Sequence, residues 1–316
     1  MNSGWVVTII GAGTMGHALA LIFAHGGNRV FLTDINERVL KHARELIGSH
    51  LKTLADSEEL RETPDLIMGR IETAIDYKTF VQKSDLAIEA IVEESEAKRK
   101  LFNEMCDHIG DRTIVASNTS YLNIFPLAPA SIQKRLLITH FFNPPYIVPL
   151  VEIVGSSETD PEMVSRVFDF LKISGMTPIV LKKFVPGFIV NRLQRALGRE
   201  VFYMIDEGFA DPEEIDRAVK ASLGIRLPIL GVVARYDHAG LDMSVQAQKG
   251  PPIGLATRED RLSPTLLKLV EQGHLGVKSG RGFFDYSNKP LSELLRERDM
   301  KLIQVRRLLR KMGEVQ

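Results

Sequence analysis

The feature that most constrains this chain is a glycine-rich turn between a short apolar run and a helical segment. Val6 to Ile10 is an uninterrupted run of β-prone residues, and Gly11-Ala12-Gly13-Thr14-Met15-Gly16 follows it directly. Helix-forming residues continue from His17 to Ala24, and a second apolar run, Val30 to Leu32, leads to Asp34. Strand, glycine turn, helix and strand in this order are typical of a parallel sheet covered by helices. The sequence therefore predicts an α/β fold at the N-terminus.

The spacing of these glycines and of the acid predicts a dinucleotide site. Gly11 permits the tight turn, Gly13 lets the backbone approach a pyrophosphate, and Gly16 lets the helix pack closely on the sheet. The helix N-terminus offers N–H groups and partial positive charge to the phosphates. Asp34 can accept hydrogen bonds from ribose hydroxyls and repels a 2′-phosphate, so NAD is predicted rather than NADP. The alternative is a turn in which the glycines serve chain geometry alone. The predicted contacts in this segment are Gly11, Gly13, Thr14, Met15, Gly16 and Asp34.

The alternation of strands and helices continues to about residue 183 and then gives way to helical periodicity. We therefore predict a doubly wound Rossmann-type domain over 1–185 and an all-α domain over 186–316. The later strands are predicted at Asp85–Val92, Thr113–Ser117, Leu136–Phe141, Pro149–Val154 and Thr177–Leu181. The helices of the first domain include Asn36–Lys52 and Glu96–Ile109. Those of the second are predicted at Gly187–Glu207, Pro212–Leu223, Ser263–Gln272 and Leu291–Met312.

Composition narrows the class of protein. Lys plus Arg and Asp plus Glu both number 40, so the chain lacks the basic excess typical of nucleic-acid binding proteins. We expect no membrane partner, because no apolar run approaches the ~18 residues of a membrane span. One cysteine, Cys106, excludes an internal disulfide, and no signal peptide is visible, so a cytoplasmic location is expected. No metal site is expected.

His140 and Glu152 form a candidate acid–base pair. His140 ends an apolar strand, and Glu152 lies in the next apolar run, beyond Pro144-Pro145. If the second run returns beside the first, the carboxylate can fix the imidazole tautomer and raise its basicity. The imidazole can then remove a hydroxyl proton while a hydride leaves the same carbon. The alternative is a hydrogen-bonded core histidine.

Several motifs in fixed order resemble the L-3-hydroxyacyl-CoA dehydrogenase family. The resemblance runs from about Val6 to Tyr286 and implies a dehydrogenase with a helical C-terminal domain through which the family usually dimerises. The motifs are Ser117-Asn-Thr-Ser120, His140-Phe-Phe-Asn143-Pro, Leu150-Val-Glu152, Pro186-Gly-Phe-Ile-Val-Asn191-Arg, Gly240-Leu-Asp242 and Gly276-Val-Lys278-Ser-Gly280-Arg-Gly282.

The resemblance also implies roles for individual residues. His140 is implied as the catalytic base and Glu152 as its partner, with Ser120 and Asn191 hydrogen-bonding the substrate oxygen. Asn143 is placed near the nicotinamide ribose or carboxamide. The further implied cofactor contacts are Ala90, Glu93, Lys98, Ser120 and Lys278. For the charged residues the alternative is an ordinary exposed position, and for Ser120 it is a role in the chain turn alone.

The substrate is the least determined part of the interpretation. The family's acyl-CoA members usually carry lysines after the second helix, whereas Asp56 to Glu62 is mostly acidic here. Arg226 can pair with a substrate carboxylate, or it is a surface arginine. We expect a short L-3-hydroxyacyl-CoA such as 3-hydroxybutyryl-CoA as the substrate. The alternatives are a free hydroxy acid or alcohol of the gulonate, carnitine or pyridine-ring type, and a non-catalytic, crystallin-like protein. The helix around Phe188 to Phe209 is apolar on several sides and predicts a homodimer.

Overall fold

A computed structural model of the chain describes residues 4–239 and 263–313. These residues form two compact units, one ending at Ile189 and the other beginning at Val190. The sequence places the domain boundary near residue 185, in the segment just before this division. The predicted motif at Gly240 to Asp242 lies outside the described residues.

The first unit is built on one eight-stranded sheet in the order β3-β2-β1-β4-β5-β6-β7-β8. Only the β6–β7 pair is antiparallel; the other neighbouring strands in this sheet are parallel. The strands are β1 (Val6–Ile10), β2 (Arg29–Thr33), β3 (Ile71–Ala74), β4 (Leu86–Glu89), β5 (Ile114–Ser117), β6 (Leu136–Phe141), β7 (Leu150–Val154) and β8 (Thr177–Leu181). The first six strands, ordered 3-2-1-4-5-6, have the doubly wound arrangement that the sequence predicted.

The central strands read as continuous apolar runs because both faces of the sheet are covered. All residues of β4, β5 and β6 are buried, and so are four of the five residues of β1. Parallel strands end at one edge of a sheet, so the segments after β1, β2, β4, β5 and β6 lie along the same edge. This edge carries most of the side chains that the sequence singled out.

The helices of the first unit connect these strands. They are α1 (Gly16–His25), α2 (Glu37–Asp56), α3 (Pro64–Met68), α4 (Lys78–Val81), α5 (Ser95–Cys106) and α6 (Pro161–Ile173). Nine of the ten residues of α1 are buried, which is the pattern of a helix enclosed on all sides. The side chain of Asn36 caps α2 by accepting a hydrogen bond from the Arg38 N–H (3.0 Å). The helix continues to Asp56, one turn beyond the predicted end at Lys52.

The second unit is helical throughout its regular elements. Its helices are α7 (Val190–Asp206), α8 (Pro212–Ala221), α9 (Leu223–Leu230), α10 (Ala234–Ala239), α11 (Pro264–Glu271) and α12 (Leu291–Lys311). Asp206, at the end of α7, accepts hydrogen bonds from the Ser263 hydroxyl (2.9 Å) and the Thr265 N–H (3.0 Å). These bonds fix the start of α11 to the end of α7. None of the helices within residues 4–239 and 263–313 combines the length and apolar character needed to cross a bilayer.

Candidate active site

The glycine turn after β1 has the geometry of a phosphate cradle. Gly11 has φ +100°, and a Cβ there would lie 2.6 Å from the Ala90 carbonyl oxygen at the end of β4. A Cβ on Gly16 would lie 1.7 Å from the Gly11 carbonyl oxygen. Gly13, in contrast, has no atom within 4 Å of its Cβ position. The two outer glycines therefore allow close chain packing, and the middle one leaves open space above its backbone, where a pyrophosphate fits.

Asp34 lies directly beyond β2, beside this turn. Its Oδ2 accepts a hydrogen bond from the Ala12 N–H (2.9 Å), and its Oδ1 accepts one from the Asn36 N–H (3.0 Å). The carboxylate is thus fixed between the glycine turn and the start of α2 while remaining half-exposed. Each carboxylate oxygen has a second lone pair, so the two ribose hydroxyls can still be accepted. The residues present fit an adenosine ribose without a 2′-phosphate.

His140 and Glu152 are brought together by strand register. They are Cα partners across the antiparallel β6–β7 pair, and the His140 Nδ1 lies 2.8 Å from the Glu152 Oε2. Both side chains are buried, with 5% of His140 and none of Glu152 exposed. The Glu152 Oε1 accepts the Ile189 N–H (2.9 Å). Because an ionised carboxylate only accepts, Nδ1 carries the proton and Nε2 has the free lone pair of the imidazole. The pair can therefore remove a proton through Nε2.

Lys98 is a buried charge held by two carboxylates. Its Nζ donates to both Glu89 oxygens (2.7 and 2.8 Å) and lies 3.3 Å from Glu93 Oε2, with 1% of the side chain exposed. The Ser117 hydroxyl also donates to Glu89. Buried charges are stable only when paired and hydrogen-bonded in this way. The ammonium therefore has a structural role, and its implied contact with the cofactor stays a prediction.

Glu93 binds the segment that contains Ser120. Its Oε1 accepts the Thr119 hydroxyl (2.6 Å) and the N–H groups of Ser120 (2.8 Å) and Tyr121 (3.1 Å). Burial raises the pKa of the Glu93 carboxyl, but the Thr119 hydrogen bond and the charge of Lys98 lower it. The two N–H donors lower it further, so the pKa of Glu93 lies below its ordinary value. Glu93 is thus held ionised where it fixes the backbone of Ser120.

Two asparagines lie close to His140 in the fold. Asn118 Oδ1 accepts the N–H of Phe141 (3.0 Å), which connects the end of β5 to the end of β6. Asn143 is exposed just beyond β6. Ser120 is half-buried after β5, and Ala90 follows β4, its N–H donating to the Ile10 carbonyl (2.7 Å). The structure therefore places His140 near the end of β6, and Ala90, Ser120 and Asn143 just beyond the ends of the neighbouring strands β4, β5 and β6.

Three predicted residues belong to the second unit. Asn191 is half-buried in the first turn of α7, Arg226 is exposed on α9, and Lys278 is exposed in a 3-10 turn over Val277–Ser279. Their assigned roles toward substrate or cofactor stay predictions.

Sequence reasoning missed four contributors to this site. Glu89 was treated only as a strand residue, and Ser117, Asn118 and Ile189 were given no role beyond their places in the family motifs. Glu89 carried a usable signal, since an ionisable residue at the end of a fully apolar strand requires a partner. Ile189 carried none, because it contributes through its backbone N–H.

Two family models match nearly the whole chain. The model described as 3-hydroxyacyl-CoA dehydrogenase, NAD binding domain matches residues 6–184. The model described as 3-hydroxyacyl-CoA dehydrogenase, C-terminal domain matches residues 187–286. The first model alone covers more than half of the chain, and the second follows it directly. The recognition of the family from its motifs is confirmed.

Individual relatives differ in their named substrates. A 5-formyl-3-hydroxy-2-methylpyridine 4-carboxylate 5-dehydrogenase of Mesorhizobium japonicum is 34% identical over 304 residues, covering 96% of this chain and 97% of the relative. A solved structure of an enzyme of that name, described as an NAD+-dependent dismutase, has a TM-score of 0.86, is 31% identical, and covers 97% and 99% of the two chains. The solved structure of the (S)-3-hydroxybutyryl-CoA dehydrogenase of Ralstonia eutropha has a TM-score of 0.72 at 30% identity. The match covers 90% of this chain and 100% of that enzyme.

The predicted fold class, the cofactor and the enzyme class agree with these findings. The glycine turn and Asp34 fit NAD, and the matching models describe an NAD-binding domain followed by the family's C-terminal domain. The chain belongs to the 3-hydroxyacyl-CoA dehydrogenase family and is an NAD-dependent oxidoreductase acting on CH–OH groups.

Proposed function

We propose that His140 is the catalytic base in the NAD-dependent oxidation of a CH–OH group to a carbonyl. The observation that supports this most directly is the His140–Glu152 pair, whose Nδ1–Oε2 distance is 2.8 Å. His140 lies at the same sheet edge as the glycine turn, since β6 and β1 belong to one parallel set of strands. A dinucleotide held at the glycine turn would therefore lie across the same sheet edge as His140.

In this reaction the hydride goes to the cofactor and the proton goes to the protein. NAD supplies the hydride acceptor when it is bound. His140 takes the hydroxyl proton on Nε2, and Glu152 holds the ring and stabilises the positive charge that the imidazole gains. Ser120 and Asn191 are proposed to hydrogen-bond the substrate oxygen, and Asn143 to contact the nicotinamide half. The alcohol carbon thus loses a hydride and its hydroxyl oxygen loses a proton, which leaves a carbonyl group.

For the substrate, we propose a small hydroxy compound with its own carboxylate and no CoA. The family motifs build the base and the cofactor cradle, and these parts serve either kind of substrate. The segment that distinguishes the two kinds of substrate is Asp56 to Glu62, where acyl-CoA members of the family usually carry lysines. Here Asp56, Glu58 and Glu62 are exposed on it, and the nearby Arg70 is occupied by Glu62, with an Nη2–Oε1 distance of 2.8 Å. A CoA 3′-phosphate would meet negative charge there.

A short L-3-hydroxyacyl-CoA is the second candidate, and the similarity to the Ralstonia eutropha enzyme favours it. Lys52 and Arg61 are exposed and can still contact a phosphate. The higher TM-score of the pyridine carboxylate enzyme supports the substrate without CoA.

A substrate panel distinguishes the two candidates. NADH absorbance is followed with 3-hydroxybutyryl-CoA, free 3-hydroxybutyrate and hydroxylated pyridine carboxylates side by side. We expect kcat/KM for the best free acid to exceed that for the thioester by at least about tenfold. If kcat/KM for the thioester exceeds that for the best free acid by as much, the acyl-CoA candidate is correct. No oxidation of any compound, with NAD bound, favours the non-catalytic alternative.

We also propose that the chain forms a homodimer through its helical unit. Among the described residues, α7 has no buried member within one chain, and Leu193 and Leu197 are about half-exposed, at 51% and 50%. A helix with such an apolar surface is usually covered by another element or chain. Light scattering at micromolar concentration tests this, and a stable 35.3 kDa species would contradict it. A cytoplasmic location also remains a prediction.

A further inference from the structure

The turn that ends the first unit contacts both members of the His140–Glu152 pair. The Phe188 N–H donates to the Val185 carbonyl (3.0 Å), which closes the turn. The Phe188 ring lies 5.1 Å from the His140 imidazole, centroid to centroid, with 43° between the ring planes. The next residue, Ile189, donates its N–H to Glu152 Oε1 (2.9 Å). Two consecutive residues of one turn therefore contact the imidazole and the carboxylate.

Phe188 adopts a backbone conformation that is unfavourable for its residue type. Its φ is +50°, in the left-handed region where a bulky L-residue is an outlier. The side chain is nevertheless fully buried, at 0% exposure. Strained backbone persists where the surrounding structure requires it, and it clusters at functional sites. Filling the core does not require this conformation, because the other large buried residues that the structure describes all have negative φ values.

The hydrogen bond to Glu152 does not by itself fix the orientation of the imidazole plane. A single Nδ1–H bond fixes one ring atom and still allows the ring plane to tilt about that bond. Phe142 packs against the imidazole at 4.5 Å with 65° between planes, and Phe188 supplies a second ring contact. Catalytic groups need rotamers fixed by packing as well as by hydrogen bonds, because small misplacements are costly.

We propose that Phe188 is a positioning residue that sets the plane of the His140 imidazole, while the Ile189 N–H fixes Glu152. The proposal rests on the proposed function of His140 as the base. Phe188 acts through His140 and has no assigned contact with substrate or cofactor. The left-handed turn is what allows the Phe188 ring and the following N–H to reach the two partners together.

The test compares three phenylalanine variants of the full-length protein, with His140→Gln as the reference for assignment. Phe188→Gly removes the ring and suits the left-handed backbone, and Phe188→Leu keeps an apolar side chain without the ring. Phe184→Leu is the matched control, because the Phe184 ring lies 6.0 Å from Phe188 in the same apolar cluster. The first readout is the downfield proton resonance of the His140 Nδ1–H, recorded without substrate and assigned by its absence in His140→Gln. The second is kcat, together with the Kd of NAD+ from fluorescence titration.

We expect Phe188→Gly to lose or broaden the resonance and to lower kcat by about 10–100-fold, with the Kd of NAD+ within about twofold of wild type. Phe188→Leu should show a smaller loss of the resonance and of kcat. It replaces Phe188→Gly as the test variant if the glycine variant does not fold. Phe184→Leu should keep the resonance and nearly all of kcat. Wild-type resonance and kcat in both Phe188 variants overturn the proposal, as do equal losses in Phe184→Leu. An active His140→Gln instead overturns the proposed function, while the resonance still reports whether Phe188 positions the ring.

Discussion

His140 and Glu152 face each other across β6 and β7, and their Nδ1 and Oε2 atoms are 2.8 Å apart because the two residues are register partners. Successive side chains of a strand alternate between the faces of a sheet, so a one-residue slip of β7 would turn Glu152 away from the imidazole. His140 and Glu152 are therefore held in place by two paired strands of the sheet.

Replacing His140 with Gln should lower kcat by about 10²–10⁴-fold while NAD still binds, because the amide cannot accept the hydroxyl proton. Steady-state kinetics and a separate NAD+ titration measure the two quantities. His42→Gln is the control, since that side chain is 68% exposed on α2 and should leave kcat unchanged. Near-native turnover in His140→Gln would place the base elsewhere.

Asp34 should give the enzyme at least about a tenfold preference for NAD over NADP, from ribose hydrogen bonds and repulsion of the 2′-phosphate. Asp34→Asn keeps an oxygen acceptor but removes the charge, so most of this preference should disappear. Kd values for both cofactors, measured in wild type and variant, provide the ratio. The exposed Glu37→Gln serves as a control with the same loss of charge. Equal affinities in the wild type would exclude the role assigned to Asp34.

Removing the buried ammonium of Lys98 should destabilise the fold strongly. In Lys98→Met, Glu89 remains as an unpaired charge with no exposure, and such a loss costs about 3–5 kcal/mol. The double variant Glu89→Gln, Lys98→Met should recover part of this free energy of unfolding, measured by urea denaturation. Lys100→Met, at an 80% exposed position paired with Glu104, should cost less than about 1 kcal/mol. Similar losses for the two lysines would contradict the buried-pair account.

Glu93 should contribute to stability in a pH-dependent way. Its pKa in the folded chain lies below the ordinary value, with burial opposing and the Thr119 hydrogen bond and the Lys98 charge producing the shift. The unfolded chain therefore binds the proton more readily, and the contribution is complete above the unfolded pKa, ~4.3. It is lost as the pH falls through the folded pKa. The difference in unfolding free energy between wild type and Glu93→Gln should thus shrink from pH 6 toward pH 3, and a pH-independent difference would contradict this.

Much of the first unit could be predicted from local patterns. β1, β6 and β8 have the predicted bounds, and the return of β7 beside β6 follows the predicted turn at Pro144-Pro145. β4 ends at Glu89, three residues before the predicted end at Val92, because strand pairing stops there although the sequence remains apolar. The second helix and the fifth also differ from prediction at their ends, where propensity is a weak guide.

In the first unit, β3, α3, α4 and α6 were not predicted. β3 is only four residues long and lies at the sheet edge, so it has little apolar pattern of its own. α6 did carry a signal: Asp160 accepts the Glu162 N–H (2.9 Å) as its N-cap, and Pro161 occupies the first turn. An N-cap followed by proline is a helix-start signal that the sequence alone contains.

The sequence by itself determined the strand–turn–helix order and the glycine turn, and it indicated His140 as the candidate base. These depend on residues close together in the chain, where glycine spacing and apolar periodicity act directly. Tertiary structure decided which polar groups become partners. Glu93 reaches the Ser120 N–H 27 positions away, and Glu152 reaches the Ile189 N–H 37 positions away. Buried charges and N–H groups take whichever partner the fold brings within hydrogen-bonding distance. Such pairings depend on the sheet register and on backbone atoms, neither of which a residue pattern records.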